Sequence, residues 1–192
     1  MEKKLADRVA ELKAAAPTRP VEVWCEDEAR LGLKPIVRKV WALRGQRPVA
    51  SNHTRYEWLY VYGFVRPATG QSYWLVLPTV TTAVMSLALA EFARDVGAGV
   101  DKTIVLVVDG AGWHRSGELV VPAGVALVFL PASTPELQPA ERLWPMLREA
   151  VANRSFESLD ELQDRLVERC VQLAEQSEAV QAATNYHWLP AA

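Results

Sequence analysis

DKTIVLVVDG (residues 101–110) and VALVFLPA (residues 125–132) decide how this chain is read. Both are unbroken apolar runs rich in β-branched and aliphatic side chains. Neither alternates between apolar and polar, so neither suits a strand with one wet face. Such runs are strands buried on both sides, as in the middle of a parallel sheet covered by helices. TTAVMSLALAEFARDVGAG (81–99) precedes the first run and carries apolar residues at i, i+3 and i+4 spacing. A Thr at its start and a Gly at its end predict a capped helix. STPELQPAERLWPMLREAV (133–151) follows the second run as a loop that turns into a helix. Pro145 removes a hydrogen bond to the carbonyl of Glu141 and should bend that helix.

Upstream, VEVWCEDE (21–28), RKVWALRG (38–45), YEWLYVYGFV (56–65) and QSYWLVLPTV (71–80) read as strands. The last two are joined by the turn residues Arg66-Pro67-Ala68-Thr69-Gly70 and form a hairpin. Leu5, Val9 and Leu12 predict a helix over residues 1–16, ended by Pro17 and Pro20. SLDELQDRLVERCVQLAEQ (158–176) is a long amphipathic helix. Three or four antiparallel strands, a helix, two buried strands and closing helices make an α/β sandwich on a mixed sheet.

The bulk properties narrow the function. A chain of 192 residues, half of them hydrophobic, suits one domain with a sizeable core. No apolar run approaches the roughly 18–20 residues of a membrane span, and the charged N-terminus lacks the apolar centre of a signal peptide. A cytoplasmic protein without a membrane partner is expected. Cys25 and Cys170 show no metal-ligand spacing and read as free thiols. The net charge of −2 argues against strong non-specific nucleic-acid binding by the whole chain. Its distribution says more. Ala29 to Tyr56 holds no acidic residue but carries Arg30, Lys34, Arg38, Lys39, Arg44, Arg47 and Arg55. Beyond Glu149 acidic residues dominate. One face can therefore meet phosphates while another repels them.

Asp27 and Glu28 close the first strand run, and Asp109 ends TIVLVV. A carboxylate at the mouth of a buried strand is costly when isolated, and a divalent cation offsets that cost. Mg²⁺ and Mn²⁺ take oxygen ligands and keep several waters, so two or three carboxylates suffice. Capping of a following turn would explain each Asp equally well on its own. Glu141 adds a third acid shortly after the second buried strand. Pro139 suits an early helical position and puts Glu141 in the first turn, where a helix favours negative charge.

The segments CEDEARLGL, WALRGQRP, VVDGAGWHRS and LPASTPELQPAERLW resemble, in order, the mariner-related insertion-sequence transposases of the DDE superfamily. The resemblance runs from about Val21 to Phe156. It implies an RNase H-like fold, with a mixed five-stranded sheet flanked by helices. It also implies Asp27, Asp109 and Glu141 as catalytic acids that hold Mg²⁺ or Mn²⁺, two ions in all. Positions 110–140 leave 31 residues between the second and third acids, close to the family's usual separation. The Ser/Thr-Pro-Glu/Asp-Leu-x-Pro-x-Glu pattern selects Glu141 over Glu136. Many members carry Asn-Ala after the second Asp, and this chain has Gly110-Ala111.

The implied activity is transposition: cleavage of phosphodiester bonds at element ends and joining of 3′-hydroxyl ends to target DNA. The other readings are an RNase H-like nuclease and an inactive transposase-derived DNA-binding or assembly module. DNA is the implied partner, met by Arg30, Lys34, Arg38, Lys39, Arg44, Arg47 and His114. His114 would hydrogen-bond a phosphate or orient a ligand, or else serve packing. Trp113, Trp144 and Trp41 have the shape to stack on bases, and core packing is the reading favoured for Trp144 and Trp41. Glu28 is assigned a supporting or structural role. Members of the family carry an N-terminal helix-turn-helix that reads terminal repeats. Here about 20 residues precede the first catalytic strand, so residues 1–20 read as the linker left from such a region and 21–192 as the catalytic domain. Recognition would then come from a separate region or polypeptide, with a homodimer as a further possibility, and the protein would join the nucleoid when bound to DNA.

Overall fold

The computed structural model describes residues 1–46 and 55–190. The sheet has five strands: β1 (Val21–Gly32), β2 (Trp58–Arg66), β3 (Gln71–Leu77), β4 (Thr103–Val108) and β5 (Val125–Phe129). Their order across the sheet is β3-β2-β1-β4-β5. β1 pairs antiparallel with β2 and parallel with β4, and β4 runs parallel to β5. β4 lies where its composition requires, buried between β1 and β5, whereas β5 forms the sheet edge and only Val128 of its five residues is buried.

β1 is long enough to serve two neighbours. Its first half pairs with β4 as far as Cys25 opposite Val107, and its second half pairs with β2 from Cys25 onward. Carried two residues further, the parallel register sets Asp27 beside Asp109. Strand alternation then sends side chains of β1 to opposite faces.

One face holds Val23, Cys25, Val105 and Val107. It is covered by α1 (Glu2–Ala15), α4 (Leu143–Arg148), α5 (Leu159–Glu175) and α6 (Ser177–Thr184). Leu5 and Val9 of α1 belong to this core, so the first helix packs on the sheet. The other face holds Trp24, Tyr62, Phe64, Ile104 and Leu106 against α2 (Thr82–Val96). There Phe92 stacks on Phe64 with ring centres 4.3 Å apart and meets the edge of Trp24 at 5.1 Å. α2 starts and stops as its sequence predicts: the Thr81 side chain accepts from the Val84 N–H, and Gly97 closes the helix in the left-handed conformation. Cys25 and Cys170 are buried free thiols.

Two expectations are corrected. RKVWALRG is not a strand: residues 38–46 have no ladder partner among the described residues, and Val40, Trp41 and Leu43 stand exposed. Strand-like composition needs a neighbouring strand to become one. Trp41 is therefore not core, whereas Trp144 is. Pro145 does not bend an established helix. A 3₁₀ turn at Pro139–Arg142 gives way to α4 at Leu143, so Pro145 lies in the first helical turn, where no backbone donor is required.

The hairpin between β2 and β3 closes at Gly70, which has φ +72°. A Cβ there would lie 1.8 Å from the Ser177 carbonyl oxygen at the start of α6. Gly70→Ala is expected to cost about 2 kcal/mol or more, combining left-handed strain with that clash. For a chain of this size the thermal midpoint should fall by roughly 5 °C. An unchanged melting curve would mean that the turn and α6 are not docked as described.

Candidate active site

Asp27, Asp109 and Glu141 line one cleft of about 400 Å³. They arrive by three routes. Asp27 lies on β1, Asp109 follows the last residue of β4, and Glu141 sits in the 3₁₀ turn before α4. The opposite wall is the Pro131–Pro135 loop after β5, where Ser133 takes a left-handed backbone conformation. Gln138 ties the Glu141 segment to the sheet: its buried Nε2 donates to the Glu26 carbonyl at 2.8 Å. Glu136 is exposed, lies in a separate 3₁₀ turn and does not line the cleft.

Each aspartate has one oxygen already engaged. Trp144 Nε1 donates to Asp27 Oδ2 at 2.6 Å. Room for that indole is made by Gly63, which pairs with Asp27 across β2; a Cβ there would come within 2.9 Å of the Trp144 ring. Both partners of Asp109 choose Oδ1: the Ala111 N–H at 2.9 Å and His114 Nδ1 at 2.7 Å. Among the described residues no side-chain donor meets Asp27 Oδ1 or Asp109 Oδ2, and the Glu28 backbone N–H also favours the Asp27 carboxylate. A hydrogen bond from His114, then one from the Ala111 N–H, keeps the Asp109 carboxyl below its ordinary range, against partial burial. Asp27 behaves oppositely. Burial raises it first, Glu141 and Glu28 add like-charge repulsion, and its carboxyl is pushed up to about 7 despite the Trp144 bond. A crowded, oxygen-only donor set of this kind fits a hard divalent cation.

His114 sits in a short helix, α3 (Gly112–Arg115), and is buried. Its Nε2 lies 3.3 Å from both Glu26 Oε2 and Glu28 Oε1. Burial opposes the imidazolium, but the Asp109 hydrogen bond and the two glutamates outweigh it and push His114 up to about 12. It faces carboxylates with both nitrogens and has no surface to offer a phosphate; of the roles expected for it, orienting a site residue matches its position. Glu28 also accepts from Trp113 Nε1 at 2.7 Å. Trp113 is thus half-buried against the site.

Of the basic residues, Arg30 borders an adjoining cleft that Asp27 and Asp109 also line, and stacks over Trp58. Lys34, Lys39 and Arg44 are exposed. Arg38 is engaged with Glu149, and Arg55 donates to the Glu157 carbonyl at 2.7 Å. Arg47 lies outside the described residues. Sequence reasoning missed Arg115, a cation lining the cleft, and Glu26, which is fully buried. Arg115 follows Asp109 by six residues on the turn after a catalytic-type strand end, a signal that was open to reading. Glu26 sat beside a more conspicuous acid pair.

The model of a family described as DDE superfamily endonuclease matches residues 22–163. This chain belongs to that family. A Sinorhizobium fredii protein described as uncharacterized is 41% identical over 106 residues, covering 55% of this chain and 77% of its own length. The catalytic domain of the Mos1 mariner transposase superposes with a TM-score of 0.55 at 12% identity, over 97% of this chain and 92% of that one. The Mos1 paired-end complex with Mn gives 0.58 at 15% identity, over 97% and 62%. The DDE chain thus spans about three fifths of that longer transposase chain, and at these identities the likeness establishes the RNase H-like fold. No helix among the described residues is long and apolar enough to cross a membrane.

Proposed function

We propose that this DDE-family chain is the catalytic domain of a DNA transposase, with Asp27, Asp109 and Glu141 as the acids that hold two Mg²⁺ or Mn²⁺ ions. The observation that carries the reading is the convergence of three carboxylates from β1, the end of β4 and the 3₁₀ turn on one cleft that also contains Arg115. The shared fold supports it: Mos1 structures are described with a transposon end, with Mn and with Mg. When bound, the ions supply Lewis acidity that activates a water or a DNA 3′-hydroxyl and steadies the leaving oxygen.

The chain's own residues do the rest. Trp144 and His114 hold the two aspartates by one oxygen each and aim the other into the cleft. Gln138 fixes the turn bearing Glu141. Arg115 offers a charge to a phosphate, and preorganised charge and position account for most of phosphoryl transfer. The proposed partners are DNA and a recognition module supplied by another region or polypeptide.

The test is Mn²⁺-dependent nicking of supercoiled plasmid, followed by joining of a labelled 3′-hydroxyl end to target DNA. Nicking with joining supports the transposase; nicking without joining supports a nuclease; neither, with Mn²⁺ bound, supports an inactive assembly module.

DNA affinity of this chain is expected to be weak, salt-sensitive and indifferent to sequence, with the Ala29–Tyr56 stretch contributing most. Alanine at Lys34, Lys39 and Arg44 should reduce the slope of log affinity against log salt by up to about 3. Fluorescence anisotropy reads this directly. Sequence-specific binding at physiological salt would refute the expectation.

A further inference from the structure

The sheet's other face carries a second cluster of chemistry-bearing groups that the cleft does not use. Glu22, Glu26 and Glu28 alternate along β1 on the side of Trp24, away from Asp27. Glu22 is buried but well supplied: Arg66 at 3.0 Å, Lys102 at 2.9 Å and Trp24 Nε1 at 3.0 Å. Glu26, four residues on and completely buried, has no arginine, lysine or tryptophan, only His114 Nε2 at 3.3 Å from its Oε2. Neither of its oxygens has a hydrogen-bond partner among the described residues, and nor does His114 Nε2, which points at it.

A buried carboxylate without donors is costly, and here two glutamates and an aspartate surround one imidazole. The spacing is informative. Glu26 Oε2 and Glu28 Oε1 each lie 3.3 Å from His114 Nε2, and one ligand atom from each of the three lies within 4.8 Å of the others. The contacts to Nε2 are long for charged hydrogen bonds, which run at about 2.7–2.9 Å. They match the edge of a tetrahedron around a metal with bonds of about 2.0–2.1 Å, which is about 3.3–3.4 Å. The outer contacts are also those of a metal site. Asp109 holds His114 Nδ1, fixing the ring, and Trp113 Nε1 holds Glu28 Oε1.

We propose that Glu26, Glu28 and His114 bind one zinc-type divalent ion beneath the catalytic cleft. The mixed imidazole and carboxylate set favours Zn²⁺ over Mg²⁺, unlike the oxygen-only cleft. The ion takes the place of the proton on Nε2, leaving Nδ1–H to donate to Asp109. The fourth position falls to a water entering from the adjoining cleft of about 410 Å³ that Glu28 and Trp113 border. Its role is structural: it holds the His114 ring, and through it Asp109. The site stands independently of the transposase reading.

The experiment strips the protein with a chelator and then titrates Zn²⁺, or Co²⁺ as a spectroscopic probe, in excess Mg²⁺. Metal content, the visible Co²⁺ spectrum and thermal stability are the readouts. The expected result is one tightly held equivalent with a nitrogen–oxygen Co²⁺ spectrum and a raised melting temperature. Glu141→Gln should retain it. Glu26→Gln, which removes a buried charge at constant shape, should weaken Zn²⁺ by more than about 100-fold, beyond what loss of an outer contact does, while circular dichroism stays native. His114→Ala should lose the Co²⁺ spectrum. No stoichiometric Zn²⁺, binding unchanged in Glu26→Gln, or binding lost in Glu141→Gln overturns the proposal.

Discussion

Glu141→Gln is expected to abolish Mn²⁺-dependent DNA cleavage, and Glu136→Gln to leave most of it. The two acids are five residues apart, yet the structure separates them. Glu141 lines the cleft beside Asp27 and Asp109, on a turn pinned to β1 through Gln138. Glu136 is exposed on the preceding turn and outside the cleft. Gln keeps the shape of Glu but loses the charge that holds a cation. A loss of roughly 10³-fold or more, about 4 kcal/mol of transition-state stabilisation, is the scale for removing such a ligand. Folding should survive or improve, because Glu141 repels Asp27 in the metal-free site. The comparison is made side by side on one DNA substrate. An inactive Glu136→Gln with an active Glu141→Gln would reverse the assignment.

The metal-free protein should lose stability as pH rises from about 4 to 7, and Asp27→Asn should remove the share of that loss that Asp27 carries, with Glu26 supplying the remainder. Asp27 titrates near 3.8 in the ordinary state but near 7 in the fold, chiefly because it is buried. Between those values the native state binds a proton that the unfolded state has released, so stability falls with rising pH. The penalty is complete above about 7 and amounts to at most about 4 kcal/mol. Glu26, raised by burial and then by Glu28, acts with the same sign. So does His114: its contribution is whole below its ordinary 6.5 and is lost as pH climbs toward about 12. Mn²⁺ should restore stability mainly at the alkaline end, by about 2.7 kcal/mol at 100 times its dissociation constant. Chemical denaturation across pH, with and without Mn²⁺, measures all of this. A flat profile, or one that Asp27→Asn leaves intact, would show that Asp27 is ionised and comfortable in the metal-free fold.

Much of this was legible in one dimension. The runs at 103–108 and 125–129 read as strands because no face of either is polar; β4 is buried as that implies, while β5 is largely half-buried at the sheet edge. Thr81 and Gly97 bounded α2 because capping is chemistry between near neighbours. The choice of Glu141 over Glu136 followed from the family pattern and the local spacing around Pro139; Asp109 stands just past the end of β4 as expected, whereas β1 runs on to Gly32 and leaves Asp27 inside the strand rather than at its end.

What depended on distant segments was not legible. RKVWALRG has the composition of a strand and, among the described residues, no strand to pair with. Trp41 and Trp144 look alike in sequence, yet one is exposed and the other donates to Asp27 in space that Gly63 leaves open. Arg38 is basic in sequence and engaged by Glu149 in the fold. Glu26 lies next to Asp27, and only the pleat of β1 sends it to the opposite face, to meet His114. By itself the sequence determined that residues 103–108 and 125–129 are strands, where α2 starts and stops, and which acids are the candidates for the site, since propensity, capping and motif spacing act over a few residues. The tertiary structure decided which side chains share a cleft, because that rests on strand register and sheet faces, which join residues roughly a hundred positions apart.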